Sequence, residues 1–299
     1  MIAIFFRRIL VAIPVLLAVA SITFFLIKIA PGGPFDADKA VSPQVLKNLN
    51  EAYNLDASNW EQYVDYMSGL LRGDLGPSFR FPGRSVTEMI ATGLPVTFEL
   101  AFYAILIALV MGIFSGVLAA LKRNTFLDFI PMAIAMIGIC VPTFLMGPIL
   151  VLVFGINFEM LPVSGWGTLA GDKLLPSITL GFAYAAYIAR LSRGGLLVVL
   201  GQDFIRTARS KGLKEYREIF IQSFRLAKVS ILPILGLQAG FVLSGAVYIE
   251  IVFQWPGVGR MLVDSILTRD IMLVQGGVLF VALCYVIFNI VVDFLQLIL

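Results

Sequence analysis

Histidine is missing from all 299 residues, which removes the commonest metal ligand and general base from the chemistry available. Charge is also scarce. Only 14% of residues are Asp, Glu, Lys or Arg, against about a quarter in soluble domains, so an ordinary water-facing surface is excluded. The two cysteines, Cys140 and Cys284, have no CxxC partner and lie inside apolar runs, where packing as small buried hydrophobes is expected. A net charge of +3 gives little to nucleic acid, because the positive residues fall in short breaks between apolar runs, not on a basic face. Catalytic signatures are lacking too. HExxH is impossible, and neither a GxSxG elbow nor a GxxxxGK[ST] phosphate loop occurs. The glycine-rich "SGWGTLAG" at 164–171 misses the dinucleotide spacing and reads as an outer turn. Any ATP chemistry must therefore belong to another chain.

What the chain does have is hydrophobic length. It is 59% hydrophobic with a mean hydropathy of +0.94. Runs able to cross a hydrocarbon core of about 30 Å lie near 9–29, 97–121, 127–155, 174–192, 229–253 and 272–297. Six transmembrane helices are expected, since backbone groups in lipid have no water to bond. Pro142, Pro148 and Pro176 predict kinks or helix starts without changing that number. Arg7 and Arg8 followed by an apolar run imitate a signal peptide, but signal cores extend only about 7–15 residues. The longer run from Ile9 to Ile27 is read as an uncleaved first span.

Lysine and arginine set the orientation. Arg7 and Arg8, then Lys122 and Arg123, then a block over 193–228 occupy one set of breaks. The alternate breaks are balanced or acidic, with Glu159, Asp172 and Lys173 in one and Arg260, Asp264, Arg269 and Asp270 in the other. Both termini, the 122–125 turn and the 193–228 block are expected in the cytoplasm. The long outer segment between the first two spans reads as a small helical subdomain. Ser42-Pro43 looks like a helix start running through Tyr53. Trp60, Tyr63, Val64, Met67, Leu70 and Leu71 recur at helical spacing. Ser85 to Glu88 forms a capping-box pattern before a short helix leading to the second span. The segment serves either as a cap over the outer helix ends or as a docking surface for an outside partner.

Ionisable groups inside spans are costly and mark pathways, gates or internal hydrogen bonds. Glu99 and Glu250 stand near outer ends, and Asn289 and Asp293 share one face near an inner end. The densest charge lies in "DFIRTARSKGLKEYREIFIQSFRLAK" (203–228). Phe204, Ile205 and Ala208 make a short apolar face there, and Tyr216, Ile219, Phe220 and Phe224 make a second. Gly212 between them permits a positive backbone angle. A basic helix–glycine–helix can lie on anionic lipid or dock in a groove on a soluble partner, and composition alone leans toward lipid.

"RTARSKGL" (206–213) resembles the cytoplasmic coupling (EAA) loop of bacterial ATP-binding-cassette importer permeases. "IAPGGPF" (29–35), "LLRGDLGPSF" (70–79), "LPVTFEL" (94–100), "FQWPGVGRMLVDSILTRD" (253–270) and "VQGGVLF" (274–280) are similar to the peptide and nickel branch of that family, in order along nearly the whole chain. The long outer segment and "GDLGPSF" are nearest to its B-type oligopeptide permeases. The resemblance implies an all-α type I importer permease fold: a first span over 1–30, an extracytoplasmic helical segment over 31–94, and a five-helix core over 95–299. By position, Thr207 and Ala208 end the family's Glu-Ala-Ala triplet, Arg206 stands where its acid would be, and Gly212 is the loop glycine. Asp203, Arg209, Lys211 and Leu213 flank it toward the ATPase, and Phe204 and Ile205 belong to the same loop. Trp255, Pro256, Gly257, Gly259 and Arg260 form the family's outer turn. Gln222 and Ser230 depart from the pattern, standing where histidine and proline are common, and Pro233 follows three residues later.

The function implied is an inner-membrane permease subunit, itself non-catalytic, that imports oligopeptides or dipeptides. Expected partners are a second homologous permease, two cytosolic ATPases carrying ATP and Mg, an external peptide-binding protein and the bilayer. No cofactor, metal or nucleic acid is expected on this chain. Nickel or another small solute is the competing cargo, which the lack of histidine disfavours. A secondary transporter or channel working alone, and a scaffold whose basic loop grips lipid, are the readings from other classes.

Overall fold

In the computed structural model of the chain, the described residues are 2–29, 53–212, 242 and 245–298. They are helical, and among them the sole β-type pairing is an isolated bridge between Pro77 and Ser85. The expected helix from Ser42 and most of the run at 229–253 lie outside the described residues. Among the described residues four helices are long and apolar enough to cross a membrane, or five if a sharply bent pair forms one span. The chain divides into two compact units, one built from 2–95 and 260–286 and the other from 96–259 and 287–299.

In the first unit, α1 (Ile2–Ile29) packs on α2 (Asn59–Leu71), which is started by a Ser58/Glu61 capping box. Ala20 and Phe24 of α1 meet Tyr66 of α2 in a small core that Tyr63, Met67, Leu70, Met272 and Leu279 extend. The rings of Phe24 and Tyr66 stack at 5.7 Å. Burial pushes the Tyr66 hydroxyl up to about 12, because the phenolate would lose its water.

The helix α3 (Val86–Leu121) is a single 36-residue element. A separate short helix before the second span was expected from the Ser85–Glu88 cap; instead that cap opens the span itself, with Ser85 Oγ accepting the Glu88 N–H at 3.1 Å. The helix rises about 54 Å, so its first turns extend past a hydrocarbon core of ~30 Å. Pro95 lies inside it and is tolerated there, as prolines are in long apolar helices.

The second unit is organised by α6 (Leu174–Leu200), the most deeply buried of the long apolar helices among the described residues. Small residues allow α3 to approach it closely. A Cβ on Gly112 would lie 2.8 Å from the Ala185 carbonyl oxygen, and one on Gly116 2.5 Å from that of Ala189. From the other side, a Cβ on Gly181 would lie 2.7 Å from the Ala104 carbonyl oxygen. Ala104, Ala108, Gly112 and Gly116 recur every four residues, opposite Gly181, Ala185 and Ala189. This is the small-residue packing by which helices associate in lipid, where apolar area gives no drive.

The run expected as a kinked span over 127–155 is divided. α4 (Phe126–Cys140) and α5 (Thr143–Leu150), which a π-helical turn prolongs over Val151–Asn157, meet at an angle of 111°. Val141 is extended, at φ −84° and ψ 118°, as a residue before proline prefers, and Pro142 cannot donate to the ladder. Both α4 and α5 nevertheless follow α6: Ala135 clusters with Ala186 and Ala189, Gly138 faces Phe182, and Gly147 faces Thr179. Cys284 is buried, but Cys140 is exposed on this bend, against the expectation of two buried thiols. The remaining helices are α7 (Asp203–Ser210), a helical stretch at 245–252, α8 (Val258–Thr268) and α9 (Ile271–Ile298).

Candidate coupling site and outer turn

Two residues, Gly201 and Gln202, separate α7 from α6. Gly201 keeps helical backbone angles, and turn hydrogen bonds run from Gln202 N–H to Val199 O and from Ile205 N–H to Gln202 O, both 3.1 Å. α7 is therefore hinged directly to α6. Inside it, Thr207 Oγ1 donates to the Asp203 carbonyl at 3.0 Å. The apolar face foreseen in the sequence is split. Ile205 is fully buried within the chain, whereas Phe204 is 38% exposed, because adjacent residues of a helix point about 100° apart. Arg206, Ala208 and Arg209 lie on α7, with side chains outside the described set.

The helix is closed by Lys211 N–H donating to Thr207 O at 3.1 Å, and Gly212 follows with φ +75°. A Cβ there would meet nothing within 4 Å. The requirement for glycine is thus set by backbone angle alone, as at a left-handed helix cap. Leu213 and the second amphipathic half, including Gln222, Ser230 and Pro233, lie outside the described residues.

At the opposite end of the same unit, Glu250 is fully buried. Its Oε1 accepts the Thr97 hydroxyl at 2.6 Å, and Thr97 Oγ1 in turn accepts the Val258 N–H at 2.9 Å. The outer turn wraps this carboxylate. A Cβ on Gly257 would fall 2.3 Å from it, and one on Gly259 2.9 Å. Gln254 takes a positive φ of 58°, and Trp255 is buried edge-on to Trp166 at 6.4 Å. Pro256 lies within this turn, and Arg260 pairs with Asp264 at 3.7 Å.

Glu99 accepts from Lys173 Nζ at 2.5 Å, and Lys173 also sits 5.0 Å over the Trp166 ring. The Glu99 carboxylate holds the Lys173 ammonium above the ordinary lysine range. Asn289 and Asp293 stand one turn apart on α9, both half-buried. Glu250 is thus held by Thr97 and Glu99 by Lys173, while Asn289 and Asp293 are on another helix.

Two constellations escaped the sequence reading. Asp270 caps α9, accepting from Leu273 N–H at 3.3 Å and Phe79 N–H at 3.2 Å and from the Ser78 hydroxyl. The other is an Asp128–Arg193 ion pair, with Nε to Oδ1 at 2.6 Å and Nη2 to Oδ2 at 2.8 Å. The fork from Arg193 and the contacts of Asp270 with Ser78 and Phe79 leave no local signal, since those partners are far apart in sequence. The Asp270 cap on Leu273 is local and was readable as an N-cap before an apolar run. Among the described residues no three His, Cys, Asp or Glu side chains gather as a metal site.

Described residues that are helical and include several apolar spans have the makings of a membrane permease. Residues 108–299 match the family model "Binding-protein-dependent transport system inner membrane component", and residues 1–101 match its N-terminal companion. The chain belongs to this family and is a multi-pass inner-membrane permease subunit of an ATP-binding-cassette importer. Similar curated proteins include the oligopeptide transport system permease protein OppB of Haemophilus influenzae, 39% identical over 97% of this chain and 95% of that protein. OppB of Salmonella typhimurium is 40% identical over 90% and 88%, and the dipeptide permease DppB of Bacillus subtilis is 37% identical over 93% and 90%. Two solved structures share the fold. An amino acid ABC transporter with histidines has a TM-score of 0.56 at 17% identity, covering 71% of this chain and 95% of that one. An inward-facing MetNI methionine ABC transporter has 0.57 at 15%, covering 70% and 94%.

Proposed function

We propose that this permease admits oligopeptides or dipeptides to the cytoplasm, and that α7 with Gly212 is the element through which cytosolic ATPases drive it. The observation that carries the coupling role is α7 itself: a short helix hinged to α6, closed by a left-handed glycine, with Phe204 left exposed. Its position in the basic 193–228 block supports a cytoplasmic location by the lysine and arginine rule. Asp203, Phe204, Arg206, Thr207, Ala208, Arg209, Lys211 and Leu213 form the docking surface around it, and Ile205 anchors it to the chain.

The peptide cargo is supported by relatives named as oligopeptide and dipeptide permeases at 37–40% identity. The working complex holds this chain, a second homologous permease, two ATPases that bind ATP and Mg, and an external peptide-binding protein. Both termini lie in the cytoplasm. ATPase closure pushes α7, and the spans respond by alternating access as rigid bodies. Glu99, Glu250, Asn289 and Asp293 act on the pathway or its gate, with Trp255, Pro256, Gly257, Gly259 and Arg260 forming the outer turn above it.

The test is reconstitution of the full complex in proteoliposomes with external peptide. Peptide uptake that requires ATP and the binding protein is expected. Uptake by this chain alone under an ion gradient, or ATP-driven uptake of nickel and not peptide, would refute the proposal.

A further inference from the structure

One partly buried ion pair ties the start of α4 to the last turns of α6. The Asp128 side chain is 4% exposed, and both of its oxygens accept from the Arg193 guanidinium. Its Oδ2 also accepts the Asn124 backbone N–H at 3.0 Å, so the carboxylate locks the Lys122–Thr125 turn as well. Asn124 holds φ +61° in that turn. A planar guanidinium bound at two points fixes direction as well as distance. Apolar helix contacts can slide in shear; a two-point fork resists sliding.

Arg193 sits two turns before the end of α6, and α7 begins two residues beyond that end. The two-residue connection and its turn hydrogen bonds from Gln202 to Val199 and from Ile205 to Gln202 leave α7 little freedom to move without α6. Whatever displaces α7 therefore displaces Arg193, and Arg193 holds Asp128. We infer that Asp128 and Arg193 are positioning residues that carry movement of α7 from α6 into α4. This rests on the proposed role of α7 and Gly212 as the ATPase-driven element.

Three variants of the complete complex separate the possibilities: Asp128→Asn with Arg193→Gln, Arg193→Lys, and Gly212→Pro. Removing both charges leaves no unpaired buried ion, which is the costly outcome of single removal, and Arg193→Lys keeps the charge while losing the fork. The readouts are yield of assembled complex and peptide transported per ATP hydrolysed. The double variant is expected to assemble and to transport about tenfold less peptide per ATP, within the usual range of coupling between sites. Arg193→Lys is expected to show a smaller fall in the same ratio. If Gly212→Pro lowers the ratio while Arg193→Lys and the double variant keep it, whatever their yields, the brace is merely structural and this inference is overturned. A wild-type ratio in Gly212→Pro overturns the role of α7 and the inference together.

Discussion

Gly212 carries its requirement in one dihedral angle. At φ +75° with open space around it, a substitution there meets backbone strain and no clash. An L-residue in this region costs about 1–2 kcal/mol, with asparagine the most tolerant. Peptide transported per ATP is therefore expected to fall in the order Gly, Asn, Ala, Val, with Pro worst because its φ is fixed near −65°. A profile ordered by side-chain volume alone, with Asn no better than Val, would contradict the backbone account. Lys173 gives a different kind of prediction. Its hydrogen bond to Glu99 raises its pKa in the folded protein, so the pair's contribution is complete below the unfolded lysine value of about 10.4. It is lost as pH climbs through the higher folded value. Thermal melts in detergent between pH 9 and 12 should show wild type losing its advantage over Glu99→Gln only at the alkaline end. An advantage unchanged across that range would argue against the ion pair. Gly212 was legible from sequence, because a helix–Gly–helix demands a positive angle locally. Asp128 was not, because its partner is 65 residues away and no local spacing records the fork.

At the scale of elements, apolar runs announced the spans, while their ends and breaks were set by chemistry the runs conceal. The Ser85 cap was visible, yet nothing in hydropathy says that α3 continues unbroken through Pro95. The Val141–Pro142 break was visible as a proline, but its 111° angle depends on how α5 returns to α6. The split face of α7 has a similar origin: Phe204 and Ile205 are both apolar, and only tertiary packing decides which is buried. The four-residue recurrence of Ala104, Ala108, Gly112 and Gly116 was a signal available in the sequence, and it locates the α3–α6 seam. Gly116→Leu would place side-chain atoms against the Ala189 carbonyl, 2.5 Å from the new Cβ. Overpacking of this kind costs about 1–3 kcal/mol, and a rigid backbone neighbour puts this site at the upper end. A lowered melting temperature in detergent is expected for Gly116→Leu, with Val110→Leu at an exposed position of the same helix as the control. Equal melting of the two variants would mean that α3 and α6 do not meet through this stripe.

For the whole molecule, the path of the chain between the 122–125 turn and Lys173 fixes the orientation of everything after it. α4 alone has 15 residues, about 22 Å of rise, too short for a ~30 Å core. If the bent pair dipped in and returned to the same side, α6 would start in the cytoplasm and α7 would lie outside, away from any ATPase. The contacts argue otherwise. Asp128 meets Arg193, Ala135 meets Ala186 and Ala189, Gly138 meets Phe182 and Gly147 meets Thr179. As the residue number on α4 and α5 rises, its partner on α6 moves steadily toward the α6 N-terminus. A chain that climbs beside α6 from Arg193 to Thr179 covers about 21 Å of its axis, and the segment around Phe158–Met160 lies beyond that. Residues 122–125 and 158–172 are therefore expected on opposite sides of the membrane. With Cys140 and Cys284 replaced by alanine, Arg123→Cys should react with a membrane-impermeant maleimide only in inside-out vesicles. Met160→Cys should react only in right-side-out cells whose outer barrier is opened. Labelling of both positions from the same side would mean that the bent pair is re-entrant, and α7 would then have to find its partner outside the cell.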